Sequence, residues 1–164
     1  MPLRSLRPLR FNIFMDEVLV IGYGNPLRGD DGVGPVLAER IRESNSSAKV
    51  AVRVLPQLTP ELAEDLSRAR YAIFLDVSAE LPPGEIAESQ IEPADAFPSS
   101  FTHHLTPATL LFLAREWYGA CPGATLLTVG GADFDYRIGL SREVEAALPE
   151  LQRRLEECWS RKSG

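Results

Sequence analysis

Residues 17–37 read EVLVIGYGNPLRGDDGVGPVL. The first seven, Glu17 to Tyr23, are a nearly unbroken β-branched and aliphatic run broken by glycine, the pattern of a central strand buried on both faces. From Asp31 onward the apolar residues Val33, Val36, Leu37 and Ile41 recur at helical spacing, and Pro35 is tolerable in a first turn. A strand, a glycine-rich loop and a helix therefore follow one another directly. The alternation then repeats. Val50 to Leu55 reads as a strand, and Thr59-Pro60 as a cap and first helical position ahead of Leu62, Leu66 and Ala69. Tyr71 to Val77 is again strand-like, and Gly84 to Ile91 alternates weakly, as an edge strand does. Thr106-Pro107 repeats the cap signature before Leu110, Leu111, Leu113, Ala114 and Trp117. Ala124 to Val129 is the next strand, and Ser141 caps a long helix with the stripe Val144, Ala147, Leu148, Leu151 and Leu155. Strands separated by helices imply right-handed crossovers. The expected fold is α/β, three-layered, with a twisted, mostly parallel sheet and helices on both faces. Its functional crevice belongs at the carboxyl ends of the strands.

The chain has 164 residues, 45% apolar and 24% charged, the composition of one ordinary globular core. Its longest apolar runs, VLVIGYG and AIFLDV, are far shorter than the roughly 18 residues of a spanning helix, which argues against membrane insertion. Seventeen basic against 23 acidic residues, a net charge of −6, argue against a nucleic-acid partner held through phosphates. Two cysteines, Cys121 and Cys158, have no metal-type spacing and read as reduced thiols of a cytoplasmic protein. The first fifteen residues, MPLRSLRPLRFNIFM, carry three arginines and no acid. Their apolar part is too short for a secretory segment, and no cleavage site follows. Met15 directly precedes the first strand. The expected organisation is an N-terminal extension over residues 1–14 and a single α/β domain over 15–164.

Three loops carry polar residues suited to chemistry. GYGNPLRGDDGVG follows a strand and opens a helix, but Leu27 stands where the third glycine of a dinucleotide fingerprint belongs. The second strand ends Val54-Leu55-Pro56, without the acid that would hold a ribose. The loop instead offers Asp30 and Asp31. Either suits a helix start, where an Asp cap contributes about 0.5–2 kcal/mol. One Asp suffices for that, so cap and ligand both stand as readings of the pair. Asp76 closes the aliphatic strand YAIFLD, and an Asx turn is its plain explanation. His103 and His104, the only histidines, precede the helix that Thr106 caps. All three groups lie on connections at one edge of a parallel sheet. Two carboxylates and an imidazole suit a first-row cation such as nickel, zinc, cobalt or iron. A nucleophilic mechanism fits poorly, because no G-x-S-x-G elbow occurs and neither cysteine lies near a histidine in sequence.

The stretch VLVIGYGNPLRGDDGVG resembles the opening of the hydrogenase maturation endopeptidases, which trim the C-terminus of the nickel-iron hydrogenase large subunit. The aspartate in AIFLDVS, the THHL segment and the GLSREVEAA helix start occur in matching order, so the resemblance runs from about Val18 to Leu155. It implies that Asp31, Asp76 and His103 are the metal-ligating and catalytic positions, His103 through an H-x-[LM] pattern that leaves His104 dispensable. It also implies that the ion is nickel already inserted in the large-subunit precursor, so that none is tightly bound in the free enzyme. Two loops depart from the family pattern. Pro56-Gln57-Leu58-Thr59 replaces an Asp-Gly-Gly turn, and Gly130-Gly131-Ala132-Asp133-Phe134 replaces G-x-[EQ]-P. Both are expected to line the cleft and to bear on which precursor is bound.

The expected activity is hydrolysis of a peptide bond that frees a C-terminal extension from the nickel-loaded precursor, with Asp30 as a candidate general base. A nickel-sensing docking protein of the same fold, and a self-sufficient zinc hydrolase, are the alternatives.

Overall fold

The computed structural model describes residues 16–99 and 105–163, and residues 1–14 lie outside that range. The chain runs β1 (Asp16–Tyr23), α1 (Val33–Ser44), β2 (Val50–Leu55), α2 (Leu62–Arg68), β3 (Ala69–Ser78), β4 (Ile86–Ile91), α3 (Pro107–Tyr118), β5 (Gly123–Gly130) and α4 (Arg142–Lys162). A short 3-10 turn, Gly29–Gly32, leads into α1. The sheet order is β2-β1-β3-β5-β4, with β2, β1, β3 and β5 parallel and β4 antiparallel at one edge. This is the expected α/β sheet with helices on both faces.

Side-chain alternation along β1 divides the core. Val18 and Val20 join Leu37 and Ile41 of α1 and Leu148, Leu151 and Leu155 of α4. Leu19 and Ile21 join Leu62 and Leu66 of α2 and Leu110 and Leu111 of α3 on the opposite face. A central strand that must satisfy both layers cannot alternate with polar residues, which is why β1 and β3 read as unbroken apolar runs. Two helix starts match their capping residues. The Thr106 hydroxyl accepts from Thr109 N at 3.1 Å, and the Ser141 hydroxyl accepts from Val144 N at 3.3 Å.

Three local expectations need correction. Helix α2 begins at Leu62 rather than at Pro60, because the Thr59 and Pro60 carbonyls accept from Leu62 N and Ala63 N and form a preceding turn. Trp117 is 58% exposed. It lies in the last turn of α3, beyond the buried run that ends at Ala114, so helical spacing alone misplaced it. Neither Asp30 nor Asp31 caps α1, whose N-cap is Gly32 with no side-chain bond.

The first connection leaves β1 for β2 on one side, and the chain then returns past β1 to place β3 on the other. A switch point therefore opens between the carboxyl ends of β1 and β3, where α/β sheets form their crevices. Glycine decides how close α1 comes to it. A Cβ on Gly34 would lie 2.6 Å from both Leu75 O and Tyr23 O, and one on Gly22 would lie 2.3 Å from Gly34 O. These are backbone obstacles that cannot move aside. Gly34→Ala is expected to destabilise by about 3 kcal/mol, at the upper end of ordinary overpacking. Gly119→Ala, with φ of 76° but nothing within 4 Å, is expected to cost about 1–2 kcal/mol from left-handed strain. Denaturant unfolding of the two variants checks the order.

Candidate active site at the switch point

At the switch point lies a cleft of about 1110 Å³. Asp31 and Asp76 both line it, as do Tyr23 and Arg28. Asp76 arrives on β3, one residue past Leu75, which pairs with Gly22 of β1. It therefore stands beside Tyr23, whose hydroxyl donates to Asp76 Oδ2 at 2.8 Å. Val77 N donates to Asp76 Oδ1 at 2.7 Å, so the Asx-type bond expected of this position is made as well. Asp31 arrives on the 3-10 turn and accepts from Asn25 N through Oδ2 at 2.7 Å. Gly24, with φ of 142°, lets the loop fold back onto Asp31, whose carbonyl oxygen would lie 1.9 Å from any Cβ there.

The charge of Asp31 reaches Asp76. Burial raises the pKa of Asp76 above the ordinary aspartate value, the Tyr23 and Val77 hydrogen bonds oppose this, and the negative charge of Asp31 adds to the rise. Burial, the charge of Asp76 and the hydrogen bond to it likewise push the Tyr23 phenol upward, so Tyr23 remains a donor. Two like charges at one partly desolvated cleft are the electrostatic setting in which a cation is welcome. Among the described residues, no group of three His, Cys, Asp or Glu side chains gathers as a metal site. His103 and His104 lie outside the described residues. Leu105 and Thr106, next in the chain, line the cleft, and so do Phe97 and Pro98 on the near side of that stretch. The departing loops also reach it, through Pro56, Gln57 and Leu58 and through Phe134.

Asp30 is neither a base facing the cleft nor a cap. Its side chain is fully buried. Oδ2 accepts from Ala132 N at 2.7 Å and Asp133 N at 3.0 Å, and Oδ1 accepts from Ser141 N at 2.7 Å. A single carboxylate thus holds both ends of the loop between β5 and α4. The same loop pairs with the first through Gly29 N to Arg137 O at 2.8 Å and Arg137 N to Leu27 O at 2.9 Å. The adjacency of Asp30 and Asp31 splits two tasks between neighbours: Asp30 binds backbone and Asp31 faces the cleft.

No protein-family model matches the sequence, and no curated protein sequence matches it. Solved structures do. Over 90% of this chain and 94% of the other, the fold matches the hydrogenase maturating endopeptidase HybD from E. coli, with a TM-score of 0.72 and 25% identity. It matches the hydrogenase 2 maturation peptidase of a Thaumarchaeota archaeon over 88% of this chain and 99% of that one, with a TM-score of 0.67 and 28% identity. The chain has the fold of the hydrogenase maturation endopeptidases. A NiFe hydrogenase maturation protease, HycI from Thermococcus kodakarensis, shares the architecture at a TM-score of 0.67 and 19% identity, over 89% of this chain and 95% of that one. Within that fold the sequence-derived Asp31 and Asp76 share one cleft. Tyr23, which holds Asp76, was not anticipated, because which strand neighbours β1 is not written in local sequence; Asn25 holds Asp31 through a backbone N–H that marks no residue type.

The two buried-edge aspartates make opposite forecasts. For Asp30, burial raises the pKa, but the backbone bonds from Ser141, Ala132 and Asp133 outweigh it and the net shift is downward. A lowered folded-state pKa stabilises above the unfolded value and is lost as pH falls through the folded one. Asp30→Ala leaves three backbone N–H groups without their carboxylate acceptor and is expected to cost about 3 kcal/mol at pH 7, and less as pH falls through the lowered pKa, where the wild type also loses the anion. Asp76 has the reverse sign: its raised pKa makes its anion a burden at neutral pH. Asp76→Asn is therefore expected to melt no lower than wild type at pH 7. Thermal unfolding from pH 2.5 to 8 tests both.

Proposed function

We propose that the chain is an endopeptidase that removes the C-terminal extension of a nickel-loaded hydrogenase large-subunit precursor. The observation that carries this reading is the meeting of Asp31 and Asp76 in one cleft of a fold shared with maturation endopeptidases. The donor set fits. Two carboxylates, with His103 as a third ligand, supply oxygen and nitrogen donors of the type borderline cations accept. Nickel enters as part of the substrate. The chain's own groups dock it and so fix the scissile bond in the cleft, where positioning alone can contribute several kcal/mol. The loops at Pro56–Thr59 and Gly130–Phe134 contact the surrounding polypeptide and select the precursor. Arg28 gives the cleft mouth one positive charge among its carboxylates.

Incubation with nickel-loaded and nickel-free precursor, followed by intact-mass measurement, tests the reading. Mass loss from the loaded form alone is expected. Cutting of both forms would remove nickel from the recognition step, and cutting of neither would leave a docking protein.

Asp31→Asn retains an oxygen for the Asn25 amide but surrenders the anion. Precursor processing is expected to slow at least 10–100-fold, the scale of losses even one shell further from a metal. The melting temperature should stay within about 1 °C, since no cap is lost. His103→Ala should abolish processing and His104→Ala should leave it intact.

Purified protein is expected to carry little stoichiometric metal and to bind nickel, cadmium or zinc supplied in excess, because the shell lacks the substrate's thiolates. Zinc retained at one ion per chain through chelator dialysis would instead favour a self-sufficient hydrolase.

A further inference from the structure

Tyr23 belongs to neither the ligand set nor the structural clamp. It ends β1 beside Asp76, lines the cleft, and donates its hydroxyl to Asp76 Oδ2 at 2.8 Å. The other oxygen of that carboxylate is held by Val77 N at 2.7 Å. Asp76 is thus gripped at both oxygens, once by backbone that comes with the strand and once by a side chain. Asp31 is gripped differently, through Oδ2 alone by Asn25 N. Among the described residues nothing donates to its Oδ1. A phenylalanine at position 23 would fill the same volume, so the informative group is the hydroxyl. Burying a hydroxyl costs free energy unless it makes a hydrogen bond, and this partly buried one reaches the neighbouring strand to make one with a cleft carboxylate.

We infer that Tyr23 is a positioning residue for Asp76. Its hydrogen bond fixes the plane of the carboxylate, so that the remaining lone pairs are presented to the cation in one orientation. Partners of this kind orient ligands and tune their basicity, and losing one typically weakens metal binding 10–100-fold. The inference rests on the reading of Asp76 as a ligand.

The test uses the full-length protein and the metal alone. Calorimetric titration with Ni²⁺ and the visible absorption of added Co²⁺ are compared for wild type and Tyr23→Phe, with thermal unfolding on the same preparations. The expected result is a Kd for Ni²⁺ raised about 10-fold or more, an altered Co²⁺ band pattern, and little change in melting temperature. An unchanged Kd with an unchanged Co²⁺ spectrum overturns the role of Tyr23 while leaving the metal reading intact. Failure of the wild type itself to bind either ion overturns the metal reading, and this inference with it. If Tyr23→Phe does not fold, position 23 carrying 3-fluorotyrosine is followed by fluorine NMR during Cd²⁺ addition. A shifted resonance is expected, because the acceptor of its hydroxyl has become a ligand; a stationary one overturns the proposal.

Discussion

The backbone of α1 lies against the carboxyl ends of β1 and β3 with no side chain between them. Gly34 makes that contact possible, since a single methyl there would meet the carbonyl oxygens of both strands. Gly22 and Gly24 extend the same requirement along the strand end and into the loop. The glycines that suggest a phosphate-binding loop are spent on this approach. Because the helix starts so near the strand ends, Asp31, two residues before it, reaches the crevice between β1 and β3. A helix held further away by one Cβ would carry Asp31 away from Asp76.

A second constraint holds the other wall. The loop between β5 and α4 lacks regular structure, yet its ends are fixed by one buried carboxylate. Three backbone N–H groups converging on Asp30 stabilise its anion despite complete burial, and the pKa falls accordingly. The cleft carboxylate Asp76 has two donors, a like charge nearby and a raised pKa. The contrast separates structure from function in physical terms. Where hydrogen bonds saturate a buried charge, the group holds the fold together. Where they do not, as at Asp76, part of the cost of burying the charge remains and the pKa rises.

Tyr136 and Ile138, 83% and 82% exposed, stand on the Asp30-clamped loop, and Leu27, 45% exposed, stands on the strand-like partner of that loop. Phe134 of the same loop lines the cleft. The Asp30 clamp thus fixes the ends of a segment that has no regular structure of its own and brings Phe134 to the cleft.

Most of the architecture was legible in the sequence. Unbroken aliphatic runs at Glu17–Tyr23 and Tyr71–Val77 identified the two central strands, since only strands covered on both faces tolerate such composition. Ser141 and Thr106 marked helix starts through a local hydrogen bond that needs no tertiary partner. The Asp30-Asp31 pair and Asp76 could be placed at one crevice because strand-end loops of parallel sheets converge, while the preference for Asp31 over Asp30 came from the resemblance to the maturation endopeptidases. What the sequence left open was which neighbour does which task. Asp30 and Asp31 are chemically identical, and only the packing of a loop more than a hundred residues away makes one a buried clamp and leaves the other facing the cleft. Tyr23 was equally unreadable, because its partner is 53 residues distant and is set by the order of strands. Local propensity is written in neighbouring residues, whereas burial and hydrogen-bond partners depend on contacts between segments far apart in the chain, and those exist only once the sheet is assembled.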